Sequence, residues 1–145
     1  MLRYATAMIL LLAATAAAAQ SFPVIELNAG FHRIEAEVAH TQRNRMQGLM
    51  ARRGMAPQRG MLFVFDTKGQ HCMWMKNTLI PLAVAFLDDD GRIVNIEAMQ
   101  PKTENNHCAA KPVRYALEMN LGWFKQRGLG PGTVINGIAR APKAQ

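Results

Sequence analysis

The sequence predicts a mainly β domain, a β-sandwich or partly closed β-barrel with one or two short helices. Three observations carry this reading. Residues 31–39 largely alternate polar and apolar side chains, the period-2 mark of a half-buried strand. Gly60-Met61-Leu62-Phe63-Val64-Phe65 is an unbroken apolar run of strand length, suited to a strand covered on both faces. Residues 84–87 and 92–96 flank Asp88-Asp89-Asp90-Gly91, and the Asp-Gly pair supplies the positive φ that tight hairpins require.

The elements follow in order. After the strand at 31–39, Thr41 caps a short helix over residues 42–50, where Met46, Leu49 and Met50 fall at helical spacing. Gly54 and Pro57 end it. Residues 60–65 run deep in a sheet, residues 66–69 turn the chain, and residues 74–80 read as another strand with Pro81 at its end or on an edge. The hairpin around Asp90-Gly91 comes next. Residues 98–112, with Pro101, Asn105, Asn106 and Pro112, are polar and irregular. Residues 113–119 form a strand, and residues 122–127 a short helix stopped by Gly128. Gly130-Pro131-Gly132 then turns into a last strand over residues 133–138. Many short strands with few helices imply sheet packed on sheet or curled on itself.

Residues 1–19 read as a signal peptide: Arg3 gives a positive start, residues 5–16 are mostly apolar, and Ala17-Ala18-Ala19 fits the small-residue cleavage rule. The apolar stretch is short of the roughly 20 residues a membrane span needs, so stable membrane insertion is not expected. Residues 20–145 then make one domain. No cysteine precedes Cys72, which excludes a lipid-modified cysteine at the new N-terminus. The expected location is periplasmic or secreted, and the expected state is a monomer.

The net charge of +7 invites an anionic partner. The basic residues are scattered, however, and the one concentration, from Arg43 to Arg59, has no interleaved aromatics. That pattern describes a solvated basic face rather than a nucleic-acid groove.

The chemistry-bearing stretch is Gln70-His71-Cys72-Met73-Trp74-Met75-Lys76-Asn77-Thr78, with a second pair at His107-Cys108. Two cysteines in an oxidising compartment predict a Cys72–Cys108 disulfide, a cross-link of about 4 kcal/mol in the chain-entropy model. Alternatively, His71, Cys72, Met73, Met75, Met99, His107 and Cys108 offer the thiolate, thioether and imidazole ligands that suit Cu(I). A third reading is an enzyme with Lys76 as amine or oxyanion partner and Glu118 as acid or base. No serine elbow, zinc-binding histidine pair or phosphate loop accompanies them. Glu118 could equally form a buried ion pair with Arg45, Arg52 or Lys76. The acids at 88–90 lack the ligand spacing of a calcium loop.

Five motifs occur in order: Arg45-x-x-Gly48-Leu49-Met50-x-Arg52; Gly60-Met61-Leu62-Phe63-x-Phe65; Trp74-Met75-Lys76-Asn77-Thr78-x-x-Pro81-Leu82; Asp90-Gly91-x-Ile93; and Tyr115-Ala116-Leu117-Glu118-Met119-x-x-Gly122. This set resembles the domain-of-unknown-function family one-nine-two, small β-rich domains that are often exported. The resemblance spans nearly the whole chain beyond the leader and implies a fold without an assigned activity. Two positions depart from the usual pattern: Ala83 stands where the family often has Asp, and Arg59 where an acidic or polar residue commonly precedes the Gly-Met-Leu-Phe run. Both departures count against a carboxylate mechanism.

The reading that remains is a binding module for a small, anionic or carbohydrate ligand. Its candidate site residues are Arg45, Arg52, Trp74, Lys76, Asn77 and Glu118, with no cofactor or metal required. Aromatic faces beside guanidinium and amide groups suit such ligands. Trp123 is expected in the core, Arg45 on backbone carbonyls, and Trp74 in either place.

Overall fold

A computed structural model describes residues 21–145, so the leader expected at residues 1–19 lies outside the described residues. Alternation in Val-Ile-Glu-Leu-Asn-Ala gives β1 (Val24–Ala29), a strand the sequence reading overlooked. A tight turn at Gly30 leads into β2 (His32–Ala39), its antiparallel partner. β3 (Arg59–Gly69) pairs parallel to β2 and antiparallel to β8 (Val113–Asn120). β5 (Leu82–Leu87) joins β8 to β6 (Ile93–Met99). The result is a mixed six-stranded sheet in the order β1-β2-β3-β8-β5-β6. A separate two-stranded ladder pairs β4 (Cys72–Met73) with β7 (His107–Cys108).

The sheet curls, and residues 133–136 lie between its two edges. Asn136 exchanges backbone hydrogen bonds of 2.8 and 3.1 Å with Asn28 of β1. On the other side, Thr133 O accepts from Ile93 N and Ile135 N donates to Gly91 O, both at 2.8 Å. The expected last strand is therefore reduced to two isolated bridges, followed by a 3-10 turn at Ile138–Arg140. The expectation of a mainly β domain with one or two short helices holds, and the six-stranded sheet does not close into a barrel.

Alternation in β3, β5 and β8 divides the buried side chains between two faces. Leu62, Val64, Ala85, Leu87, Leu117 and Met119 join Leu27, Ile34, Trp123 and Phe124 in one core. Met61, Phe63, Leu82, Val84, Phe86 and Ala116 join Leu49, Met75 and Met99 in the other. Burial on both faces explains why these strands read as continuous apolar runs. Gly60 marks a close approach within the sheet: a Cβ there would meet Met119 Sδ and stand 2.6 Å from the Glu118 carbonyl oxygen.

Three other boundaries differ from expectation. Helix α1 covers only Gln42–Gln47, with Thr41 accepting from Asn44 N as its cap. It stops at Gly48, whose φ of 47° breaks the helix and where a Cβ would lie 3.2 Å from Phe63 Cζ. Residues 66–69 continue β3 after a register shift instead of turning. Residues 74–80 are not a strand. Thr78 N bonds Met75 O in a turn, and Asn77 takes φ 55°, a left-handed conformation that Asn tolerates better than most residues. The free backbone groups of this turn are taken up by loops, through Met75 N to Thr103 O and Lys102 N to Thr78 O. The second helix, α2 (Trp123–Gln126), lies where expected.

Candidate functional site

Helix α1 and the turn after it cross over β3 and β8 on the face that carries Met61, Phe63 and Val84. Between them is a cavity of about 140 Å³. Arg45, Gly48, Leu49 and Met50 form one wall, and Phe63 and Phe65 of β3 form another. Met73, Trp74 and Thr78, from β4 and the turn beyond it, complete the rim. Glu118 of β8 lies among them. Four of the five motifs noted in the sequence thus contribute side chains to a single cavity. The remaining one, Asp90-Gly91-x-Ile93, shapes the β5–β6 turn and places Ile93 in the opposite core. Trp74 is 46% and Met46 69% exposed, which puts the mouth of the cavity on their side.

Glu118 is 4% exposed. Its register partners are Met61 on β3 and Val84 on β5, so the strands beside it supply no counter-charge. It forms no ion pair or hydrogen bond with another described residue. The ion pair with Arg45, Arg52 or Lys76 considered from sequence is therefore not formed. Burial in an apolar wall penalises the ionised form and raises the carboxyl pKa from 4.5 to about 8. At neutral pH the group is mostly a neutral acid, able both to donate and to accept a hydrogen bond.

The other candidates disperse. Arg45 lines the cavity, but its guanidinium donates to the carbonyls of His40 (2.7 Å), Val64 (3.0 Å) and Gln145 (3.3 Å). It thereby ties α1, β3 and the C-terminus together, the role expected of it. Arg52 forks onto Glu37 at 2.5 and 3.1 Å. Lys76 and Asn77 face a neighbouring surface with Lys102 and Glu104. Lys76 Nζ lies 5.2 Å from the centre of the Trp74 ring, while Asn77 serves the turn and accepts from Ala51 N. Lys76 and Glu118 do not line the same cavity. Trp123 is core, packed edge-on against Phe124 at 5.2 Å. Phe63, Phe65 and Thr78 were passed over as site residues, although the motifs that carry the resemblance contain all three.

Cys72 and Cys108 face each other across the β4–β7 ladder and form the expected disulfide. Its Cys72 end borders the cavity. The ligands envisaged for Cu(I) are scattered: both thiols are oxidised, Met75 and Met99 are fully buried in the core, and His71 stacks on Phe65 at 3.9 Å. Of the two departures, Ala83 packs in the core on the face opposite Glu118, and Arg59 pairs with Glu35 at 3.7 Å. Neither touches the cavity, so neither bears on what Glu118 can do.

No helix among the described residues is long and apolar enough to cross a membrane. No curated protein matches the chain. Among solved structures it is similar to a candidate transcription regulator from Sinorhizobium meliloti. That match has 38% identity and a TM-score of 0.78, covering 82% of this chain and 97% of the other. It is also similar to a protein of unknown function from Novosphingobium aromaticivorans. There the identity is 30% and the TM-score 0.75, covering 90% of this chain and all of the other. The model of the family described as Uncharacterized ACR matches residues 23–137, and the chain belongs to that family, DUF192.

Proposed function

We propose that this protein is an exported, monomeric binding module, periplasmic or secreted, whose site is the cavity around Glu118. The observation that carries this reading is the convergence of four separate motifs on one half-open cavity holding a buried carboxyl that has no partner among the described residues. A polar group left unsatisfied in an apolar wall costs free energy, and a ligand that bonds it recovers that cost on binding. Rings and thioethers beside a few polar groups, here Arg45, Gln47, Thr78 and Glu118, also match the usual make-up of small-molecule sites.

With the guanidiniums of Arg45 and Arg52 both committed, we read the ligand as small and complementary to a carboxyl, rather than anionic. The test is a melting-temperature screen of small solutes against the wild type, Trp74→Ala and Thr78→Val. Solutes that stabilise the wild type should lose most of their effect in both variants. Stabilisation that survives both changes undiminished would place the binding site elsewhere and sink the proposal.

A further inference from the structure

We infer that the Glu118 cavity takes an organic ammonium group, with the Glu118 carboxylate as its counter-charge and the surrounding rings and thioethers as its walls. This rests on the binding reading above and names the ligand class for the same site. Among the described residues, Glu118 is the only acid in the cavity wall, is almost wholly buried, and has no hydrogen-bond or ion-pair partner. An isolated carboxylate in such a setting is costly, and pairing it with a cation offsets much of that cost.

The walls decide which cation. Phe63, Phe65 and Trp74 present rings, Met46, Met50 and Met73 present polarisable thioethers, and Gln47 and Thr78 add two neutral polar groups. Such a lining matches an alkylated ammonium through cation–π and sulfur contacts. It has no oxygen cage for a hard metal ion. Lys76 Nζ, outside the cavity, lies 5.2 Å from the Trp74 ring centre, so one cation already sits over this indole. The volume of about 140 Å³ admits a compact headgroup and leaves no room for an oligosaccharide.

Three positive charges or sums of charge oppose the inference, the first being Lys76, whose ammonium already lies over the Trp74 ring. Arg45 stands in the same wall, where three backbone carbonyls hold its guanidinium in place and its charge still opposes a cation. The net +7 of the chain acts from a distance and is screened beyond about 8 Å at physiological salt.

Binding of a cation also draws the proton off Glu118, so affinity should rise with pH. The charged and titratable groups around it are Arg45 on α1, His71 stacked on Phe65, and Lys76 over Trp74. Strands β3 and β5 add none at the register positions beside it, which are Met61 and Val84.

The experiment is NMR of the exported chain with labelled methionine methyl groups, titrated with tetramethylammonium, n-butanol and butyrate. Tetramethylammonium should shift the Met46, Met50 and Met73 signals saturably, and butyrate should not. Affinity should fall at least tenfold in Glu118→Gln, and between pH 9 and pH 6 by about a hundredfold, from a carboxyl pKa of about 8. His71→Gln should keep that pH dependence. If n-butanol bound as well as tetramethylammonium, and equally in Glu118→Gln, the cation inference would fail while the cavity remained a ligand site. If no solute moved these signals, both readings would fall.

Discussion

Replacing Glu118 by Gln should stabilise this protein at neutral pH, and the gain should depend on pH in a way only Glu118 can produce. The carboxyl pKa rises from 4.5 to about 8 on folding. At 1.36 kcal/mol per unit, that amounts to about 5 kcal/mol against the ionised form. The sign follows from proton counting. Below pH 4.5 the group is protonated in both states and contributes nothing. As pH rises through 4.5, the unfolded chain releases this proton while the folded protein keeps it until about 8. Stability therefore falls across that window and levels off above it. At pH 7 the loss is about 3 kcal/mol. Gln cannot ionise and is close in shape to the neutral acid, so it removes the pH-dependent part and little else. All other titrating groups cancel when the two proteins are compared at each pH. Urea unfolding at pH 4, 7 and 9 should show near-equal stability at the lowest pH. The variant should gain about 3 kcal/mol at pH 7 and about 5 at pH 9. A difference that stayed constant across this range would refute the reasoning, because it would mean that water or an unseen partner keeps Glu118 ionised in the folded state.

Two further outcomes test the frame that holds the site. Changing Cys72 and Cys108 together to Ser should cost about 4 kcal/mol, seen as a lower urea midpoint that matches the wild type under reductant. An unchanged midpoint would show that the cross-link does not constrain the unfolded chain. Gly60→Ala should cost about 3 kcal/mol, because its Cβ has no space between Met119 Sδ and the Glu118 carbonyl oxygen. Thermal unfolding reads this directly, and a neutral result would mean that β3 and β8 can separate without penalty.

Much of the sheet was legible because its strands carry local signals. Period-2 alternation marked β2, an unbroken apolar run marked β3, and Asp90-Gly91 marked the turn between β5 and β6, with φ 81° at Gly91. The misreadings share a different cause. Trp74 to Ile80 has strand-like composition, yet its backbone is claimed by Thr103, Lys102 and Ala51 from elsewhere in the chain, partners that no local pattern announces. Residues 133–136 likewise have the composition of a strand, but they meet the two sheet edges only through isolated bridges. In the site, Glu118 and Trp74 were recognisable as chemical types standing within motifs. That Arg45 and Arg52 would be consumed by carbonyls and Glu37 was not, since the sequence carries no record of which distant acceptor a guanidinium finds. The same limit applies to Phe63 and Phe65, which look like core residues until α1 stops at Gly48 and leaves part of their surface open to the cavity.

A lone carboxyl on a strand whose neighbours are apolar on both faces is hard to justify as architecture. Net stabilities of small domains lie at about 5–15 kcal/mol, so a loss of about 3 kcal/mol at pH 7 is a large fraction. Its position does not demand an acid: Met61 and Val84 flank it, and a neutral side chain of similar size would fit there without the penalty. Nor does it hold elements together, as Arg45 does through its three carbonyl contacts or Arg52 through Glu37. Breaks in local consistency of this kind gather at functional sites, and strongly perturbed carboxyls in clefts do so for a physical reason. Here the acid stands where the sheet is not sealed by its own core but opens into a cavity ringed by Trp74, Met46 and Met50. The energy withheld from folding by the unpaired carboxyl becomes available when a complementary group enters. The proposed binding function therefore rests on Glu118 more than on the surface lysine and amide beside Trp74.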